Sequence, residues 1–331
     1  MIRRTTLSHT ALALSFVLAN GCALEKTDDE VDAYRQALPE AEHVRVAGPE
    51  ADARSGARLT AADAAPAPAP AHWYLFTRQV RDDVNHVTAG VLGSVWRLAH
   101  TAPTTLEPDA AVWGPYSDAL EPVIWRFRIE RVAEHAYEYA LEGRAKLDGA
   151  ASVFTPVLTG TGYDRLDERH GDGAFTIDLE AAKRLDPAKH RDDSGSLTVT
   201  HDLPRSIWRE AAPLPRTIRA EAQAAGEDWF DVTSIANEDG TGELVVDAHG
   251  DIDESKLTLA EDVHVDSRWQ LDGAGRADIT ITGGDLPSAL PAVNATECWG
   301  QDFSRAYYVD SADLAPSEGE ASACAFDALA P

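Results

Sequence analysis

Three cysteines and a scatter of acids and histidines are the residues here that could be modified, cross-linked or catalytic. Cys22 follows Arg3 and Arg4, an apolar run from Ala11 to Ala19, then Asn20 and Gly21. A basic start, an apolar stretch too short to span a bilayer and a small residue before the cut predict a secretory signal peptide over residues 1–21. Cys22, directly after that cut, is expected to take a lipid. Cys298 and Cys324 are then left as a pair, read most simply as a disulfide in an oxidising compartment. Such a bond closes a loop of about 26 residues and is worth roughly 3 kcal/mol in chain entropy. A metal site is the weaker reading, because no His lies between or beside these two cysteines.

Other constellations are poorer. His264 and Asp266 lie two apart and share a face if the segment is a strand. With no nucleophile or metal partner nearby in sequence, they read as a surface pair. Asp251, Asp253 and Ser255 start like a calcium loop, but Lys256 stands where Gly is required and no Glu follows at the twelfth position. Glu121, Glu130, Glu134 and Glu138 supply carboxylates in a chain too acidic for that to be informative. The sequence contains no G-x-S-x-G, H-E-x-x-H, P-loop or G-x-G-x-x-G signature. No catalytic residue, metal or cofactor is expected.

These residues must be held by two kinds of element. Phe76, Val80, Val84, Val87, Val91, Val95 and Leu98 recur at helical spacing and predict an amphipathic helix over Trp73–His100. Arg78, Arg81, Asp82, Asn85 and Arg97 fall on its wetter faces. From Ala111 onward the period becomes two: Trp125, Phe127 and Ile129 alternate with Arg126, Arg128 and Glu130, and Tyr137, Tyr139 and Leu141 with Glu138, Ala140 and Glu142. Further strands are expected near 153–161, 173–179, 195–201, 217–223, 229–237, 242–248, 257–271 and 276–282, separated by turns such as Asp239-Gly240 and Asp272-Gly273. A helical turn or two is expected at Glu180–Leu185.

The expected fold class is α+β, mostly β: a curved antiparallel meander, open or closed into a partial barrel, packed on one long N-terminal amphipathic helix. The expected organisation is a signal peptide (1–21), lipidated Cys22 with a disordered Ala/Pro-rich tether (22–72), a helix-plus-sheet domain (73–290) and a disulfide-tied C-terminal segment (291–331). In that arrangement Val87, Val91, Trp96, Trp125, Phe127, Tyr137 and Tyr139 lie between helix and sheet, where they either fill the space or line an apolar ligand pocket. Glu297-Cys298-Trp299 with Phe303, Tyr307 and Tyr308 reads as a tail packed back on the domain.

With 29 Lys and Arg against 56 Asp and Glu, the chain carries a formal charge of −27. That excludes a general nucleic-acid binder and adsorption to anionic lipid by charge. Leu18-Ala19-Asn20-Gly21-Cys22 resembles a bacterial lipobox with its Leu one place early. Ala111–Tyr116 (AVWGPY), Tyr137–Glu142 (YEYALE), Arg268-Trp269 with Gly273–Asp278 (GAGRAD), and Glu297-Cys298-Trp299 with Tyr307-Tyr308 together resemble an uncharacterised family of lipoproteins from myxobacteria and their relatives. The resemblance implies a lipoprotein and brings no activity. A looser, architectural analogy links the expected fold to bacterial lipid and lipoprotein carriers. The expectations are therefore a cell-envelope protein anchored through its N-terminal lipid, at the outer membrane since Ala rather than Asp stands at 23. Its role is a non-enzymatic binding or structural module whose partner is an envelope protein. The alternatives are a carrier or sensor of an apolar small molecule and, last, a secreted hydrolase.

Overall fold

The computed structural model describes residues 28–50, 69–149, 152–163, 172–191, 193–203, 215–224, 226–251 and 259–328. Cys22, the signal segment, the Ala/Pro stretch at 51–68 and the failed calcium loop at 252–258 lie outside them. Among the described residues no helix is long and apolar enough to cross a membrane.

The chain is mostly antiparallel β, with strands ordered β1 to β15 as they occur in sequence. The described residues divide into two compact units, one within 46–83 and 227–331 and the other within 28–45 and 84–226. The long helix α2 spans His72–Ala99, with residues in both units. Among the described residues it is the second helix and not an N-terminal one, because α1 (Asp28–Gln36) precedes it.

In the unit of residues 84–226, β1 (Thr105–Glu107), β2 (Ala110–Tyr116), β3 (Val123–Ala133), β4 (Ala136–Ala145), β5 (Thr155–Tyr163), β6 (Gly173–Asp178), β7 (Ser196–Asp202) and β8 (Arg216–Gln223) pair successively as a meander. Their buried positions alternate as the period of two requires: Phe127 and Ile129, Tyr139 and Leu141, Phe175 and Ile177, Leu197 and Val199. The short helix α3 (Leu179–Leu185) is capped by Asp178, whose carboxylate accepts from Ala181 N.

α1 corrects the expected tether. Tyr34 is buried, stands edge-on to Tyr137, and carries the Arg131 guanidinium over its ring. Arg35 donates to the carbonyl of Ala99, the last residue of α2, and to that of Thr101, which also accepts from Trp113 Nε1. A charged, short segment can thus pack when an aromatic ring, a guanidinium and two backbone carbonyls await it, and residues 28–50 are not a spacer.

In the unit of residues 46–83 and 227–331, β9 (Trp229–Ala236), β10 (Gly242–Gly250), β11 (Glu261–Trp269), β12 (Gly275–Gly283), β13 (Ala292–Trp299), β14 (Arg305–Asp310) and β15 (Glu318–Gly319) form a second meander. The segment 291–331, expected as a stapled tail, therefore supplies three strands. The start of α2 is seated here. Glu297, fully buried, accepts from Trp73 N at 2.5 Å and from Arg305 Nε at 2.6 Å. A carboxylate at a helix N-terminus meets both free N–H groups and the positive end of the dipole. Thr77 shares a 2.7 Å hydrogen bond with Ser267, and Tyr74 stacks on Phe303.

These contacts rotate the buried face of α2 away from the expected stripe. Trp73, Thr77, Arg81, Val84, Thr88, Val91, Val95 and Leu98 are buried, whereas Phe76, Val80 and Val87 are only half-buried. Arg81, expected on a wetter face, is 6% exposed and pairs with Asp82 at 2.7 Å and Glu50 at 3.4 Å.

Large rings repeatedly cover glycines on the next strand. Tyr139 faces Gly160, Trp269 faces Gly242 and Trp299 faces Gly275 in register, and a Cβ at any of these glycines would run into the ring. Each pair trades a missing side chain for a large one lying flat across it.

Candidate functional site

The residues expected between helix and sheet separate on inspection. Val91, Trp125, Phe127, Tyr137 and Tyr139 are buried and Val87 is half-buried, all in the unit of residues 84–226. Phe127 contacts Trp113 and Tyr139 at ring-centroid distances of 5.7 and 6.5 Å. Trp96 does not belong with them: it is 46% exposed and stacks on His100. The Tyr139 hydroxyl and the Thr88 hydroxyl are buried with no hydrogen-bond partner among the described residues. Burial pushes the Tyr139 phenol far above its ordinary range.

The most organised chemistry lies on the other unit's sheet, on the positions that alternate with its buried valines. Pairing places Asp247 opposite His264 and His249 opposite Asp262. The sequence D-x-H on β10 thus runs antiparallel to a second D-x-H on β11. Each Asp accepts from an imidazole Nδ1 across the strand gap, at 2.7 Å for His264 and 2.8 Å for His249. Trp229, opposite His249 and partly exposed, stacks beside it. His264 and Asp266 do share a face, as expected, but His264 pairs with Asp247 instead. Among the described residues, no group of three or more His, Cys, Asp or Glu is arranged to hold a metal.

Further along the same face stand two mirrored motifs, Asp266-Ser267-Arg268 on β11 and Arg276-Ala277-Asp278 on β12, flanking the Asp272-Gly273 turn. Register puts like against like, Asp266 opposite Asp278 and Arg268 opposite Arg276. Attraction must therefore run along the strands and diagonally. Asp278 wins both arginines, Arg276 at 2.7 Å and Arg268 at 3.3 Å, and also accepts from Thr296 at 2.7 Å. Burial opposes its charge, yet the Arg276 and Thr296 hydrogen bonds outweigh that and hold the carboxyl below the ordinary range. Asp266 keeps only Arg268, at 3.6 Å. It is 7% exposed, and its Oδ1 has no hydrogen-bond partner among the described residues. Burial, with Asp278 nearby, pushes it up. Two carboxylates facing each other across one strand gap thus move in opposite directions, because one has collected the cations.

The next residue in this row is Cys298, opposite Arg276. It is bonded to Cys324, as expected from sequence. That bond lays the following residues over the arginines. Gln270 Nε2 donates to Ala325 O at 3.1 Å, Arg276 to Phe326 O at 3.3 Å and Arg268 to Asp327 O at 3.1 Å. The Arg268 guanidinium also sits 5.3 Å from the Phe326 ring centroid. Sequence reasoning missed this row. The legible signal is the mirrored pair D-x-R and R-x-D across the short turn at 270–274, which fixes the four charges on one face.

No family model matches the chain, and neither the curated proteins nor the solved structures compared with it gave a match.

Proposed function

We propose that this chain is a lipid-anchored protein of the cell envelope, expected at the outer membrane, and acts as a non-enzymatic binding module through the exposed face of β9–β14. The observation that carries this reading is the Gln270, Arg276 and Arg268 row, which already holds a stretch of polypeptide by its carbonyls. Hydrolysis is disfavoured at this place. The opposed shifts of Asp266 and Asp278 follow from burial, which raises the first, and from the Arg276 and Thr296 hydrogen bonds, which lower the second, and three donors already occupy Asp278. The anchor rests on Cys22 and the segment before it. Cys22→Ser should shift the protein from the membrane pellet to the soluble fraction on cell fractionation; unchanged membrane association would remove the anchor.

A second reading, a carrier of an apolar molecule, is favoured by the buried, unpartnered hydroxyls of Tyr139 and Thr88 among the aromatic residues of the other unit. A bound amphiphile would give such groups a partner. Solvent extraction of the purified protein followed by mass spectrometry distinguishes the two. One equivalent of a lipid would make the carrier the leading function, and its absence leaves the exposed face.

A further inference from the structure

We infer that the row Gln270, Arg276, Arg268 is a peptide-binding site, that residues 325–327 are its resident occupant, and that its ligand class is an extended segment with an aromatic side chain followed by an acid. This deepens the binding-module reading and rests on the exposed face, not on the lipid anchor.

Three features distinguish this row from ordinary tail packing. First, three consecutive carbonyls, those of Ala325, Phe326 and Asp327, are each taken by a separate side chain of the sheet. Backbone carbonyls are common to every peptide, so these donors recognise an extended chain whatever its sequence. Second, the two arginines are braced by groups that do not belong to the occupant. Asp278, itself held by the Thr296 hydroxyl, grips Arg276 and Arg268 on one side, and Asp266 flanks Arg268 on the other. Preorganised guanidinium groups lose little freedom on binding. Third, the site has an unmet acceptor. Asp266 Oδ1, on a side chain nine-tenths buried, makes no hydrogen bond among the described residues, its cation Arg268 Nε standing 3.6 Å away. Donors to carbonyls beside an acceptor with no hydrogen bond match the two needs of a polypeptide backbone.

Selectivity comes from what the tail adds. Arg268 lies against the Phe326 ring, and the Asp327 charge acts on Arg276. No strand pairing of β type holds 325–328, and Asp327 and Ala328 are exposed. The occupant is kept by the Cys298–Cys324 bond and by side chains. Tethering gives it the high effective concentration of an intramolecular ligand, so a peptide from outside competes only when the staple or the aromatic contact is weakened.

The test uses the full mature chain and a fluorescein-labelled peptide of residues 321–331 carrying Cys324→Ser, read by fluorescence anisotropy. The peptide should bind the Cys324→Ser chain saturably and about tenfold more tightly than it binds the disulfide-intact chain. Phe326→Ala in the peptide, or Arg268→Gln in that chain, should each weaken binding about tenfold. Circular dichroism of the sheet establishes that the Cys324→Ser chain is folded. The disulfide-intact chain with Phe326→Ala gives a second comparison in which the staple is untouched, and it too should bind the peptide more tightly than the native chain. The inference is overturned by equal binding to native and altered chains, by no saturation up to about 1 mM, or by indifference to Phe326→Ala in the peptide. Failure here with a positive Cys22→Ser fractionation leaves an anchored module with a different ligand; success here with a negative one leaves a peptide binder without the anchor.

Discussion

Replacing Glu297 with Ala removes the carboxylate that joins the first turn of α2 to β13. Glu297 is wholly buried, and its two oxygens serve Trp73 N at 2.5 Å and Arg305 Nε at 2.6 Å. Each is a charge-assisted hydrogen bond, worth about 1.5–3 kcal/mol. Breaking a buried pair by deleting one member costs about 3–5 kcal/mol, because the survivor stays desolvated. Here the survivor is partly relieved: Arg305 reaches solvent and has Glu318 at 3.4 Å. The Trp73 N–H has no comparable alternative. The lower part of the range follows, about 3–4 kcal/mol. Glu297→Gln keeps a carbonyl for Trp73 and loses the charge facing Arg305, so about 1–2 kcal/mol is expected. Urea unfolding followed by tryptophan fluorescence reads the transition near Trp73 and Trp299, and melting should fall by roughly 6–15 °C for the Ala variant. A Glu297→Ala chain within about 0.5 kcal/mol of the native one would refute the cap and its energetics together.

Arg81→Asp should cost about 3 kcal/mol, since it puts a third acid beside Glu50 and Asp82 at a buried position. Val87→Asp, at a half-buried site, should cost less, and the reverse order in denaturant midpoints would restore the stripe expected from sequence. Gly160→Val drives a branched side chain into the Tyr139 ring and should destabilise by about 1–3 kcal/mol; a neutral result by thermal melting would mean the ring is free to move. Burial works against the Asp310 charge, but hydrogen bonds from the N–H groups of Leu314, Ala315 and Ala312 and from Tyr308 prevail and hold its carboxyl below the ordinary 3.8. A lowered carboxyl stabilises fully above its unfolded value and loses that contribution as pH falls through the folded one. The stability gap between native chain and Asp310→Asn should therefore narrow as pH drops below 3.8, and a gap constant with pH would contradict the assignment.

The period-two pattern located most of the sheet to within a few residues. Trp229–Asn237 was expected and Trp229–Ala236 is found; Arg276–Thr282 was expected and Gly275–Gly283 is found. Alternation works there because one face is dry and the other wet. It failed at β13, where Glu297 points inward and Cys298 outward, reversing the hydrophobic code to serve the helix cap and the disulfide. It failed in phase along α2 for a related reason. Thr77 and Arg81 are buried because Ser267 and Glu50 await them, and partners so distant in sequence leave no mark on local hydrophobicity. A short helix at Asp29–Leu38 is legible in the sequence as an exposed one; its burial is not, since that depends on Tyr137 and on the end of α2. Of the candidate site, the two cysteines were legible and the arginine row was not. Its charges look like a solvated surface until register shows that they stand in one line.

The strand order has a kinetic corollary. Each paired strand meets its immediate predecessor, so successive hairpins can close within tens of residues of chain and need not wait for the whole polypeptide. Such growth is vectorial and suits a protein made or exported from one end. The bonds that seat the start of α2 depart from this rule. The N–H of Trp73 waits for a carboxylate 224 residues downstream. The first turn of α2 must remain unfastened until β13 has been laid down, which makes the seating of that helix a late checkpoint on the assembly of its unit.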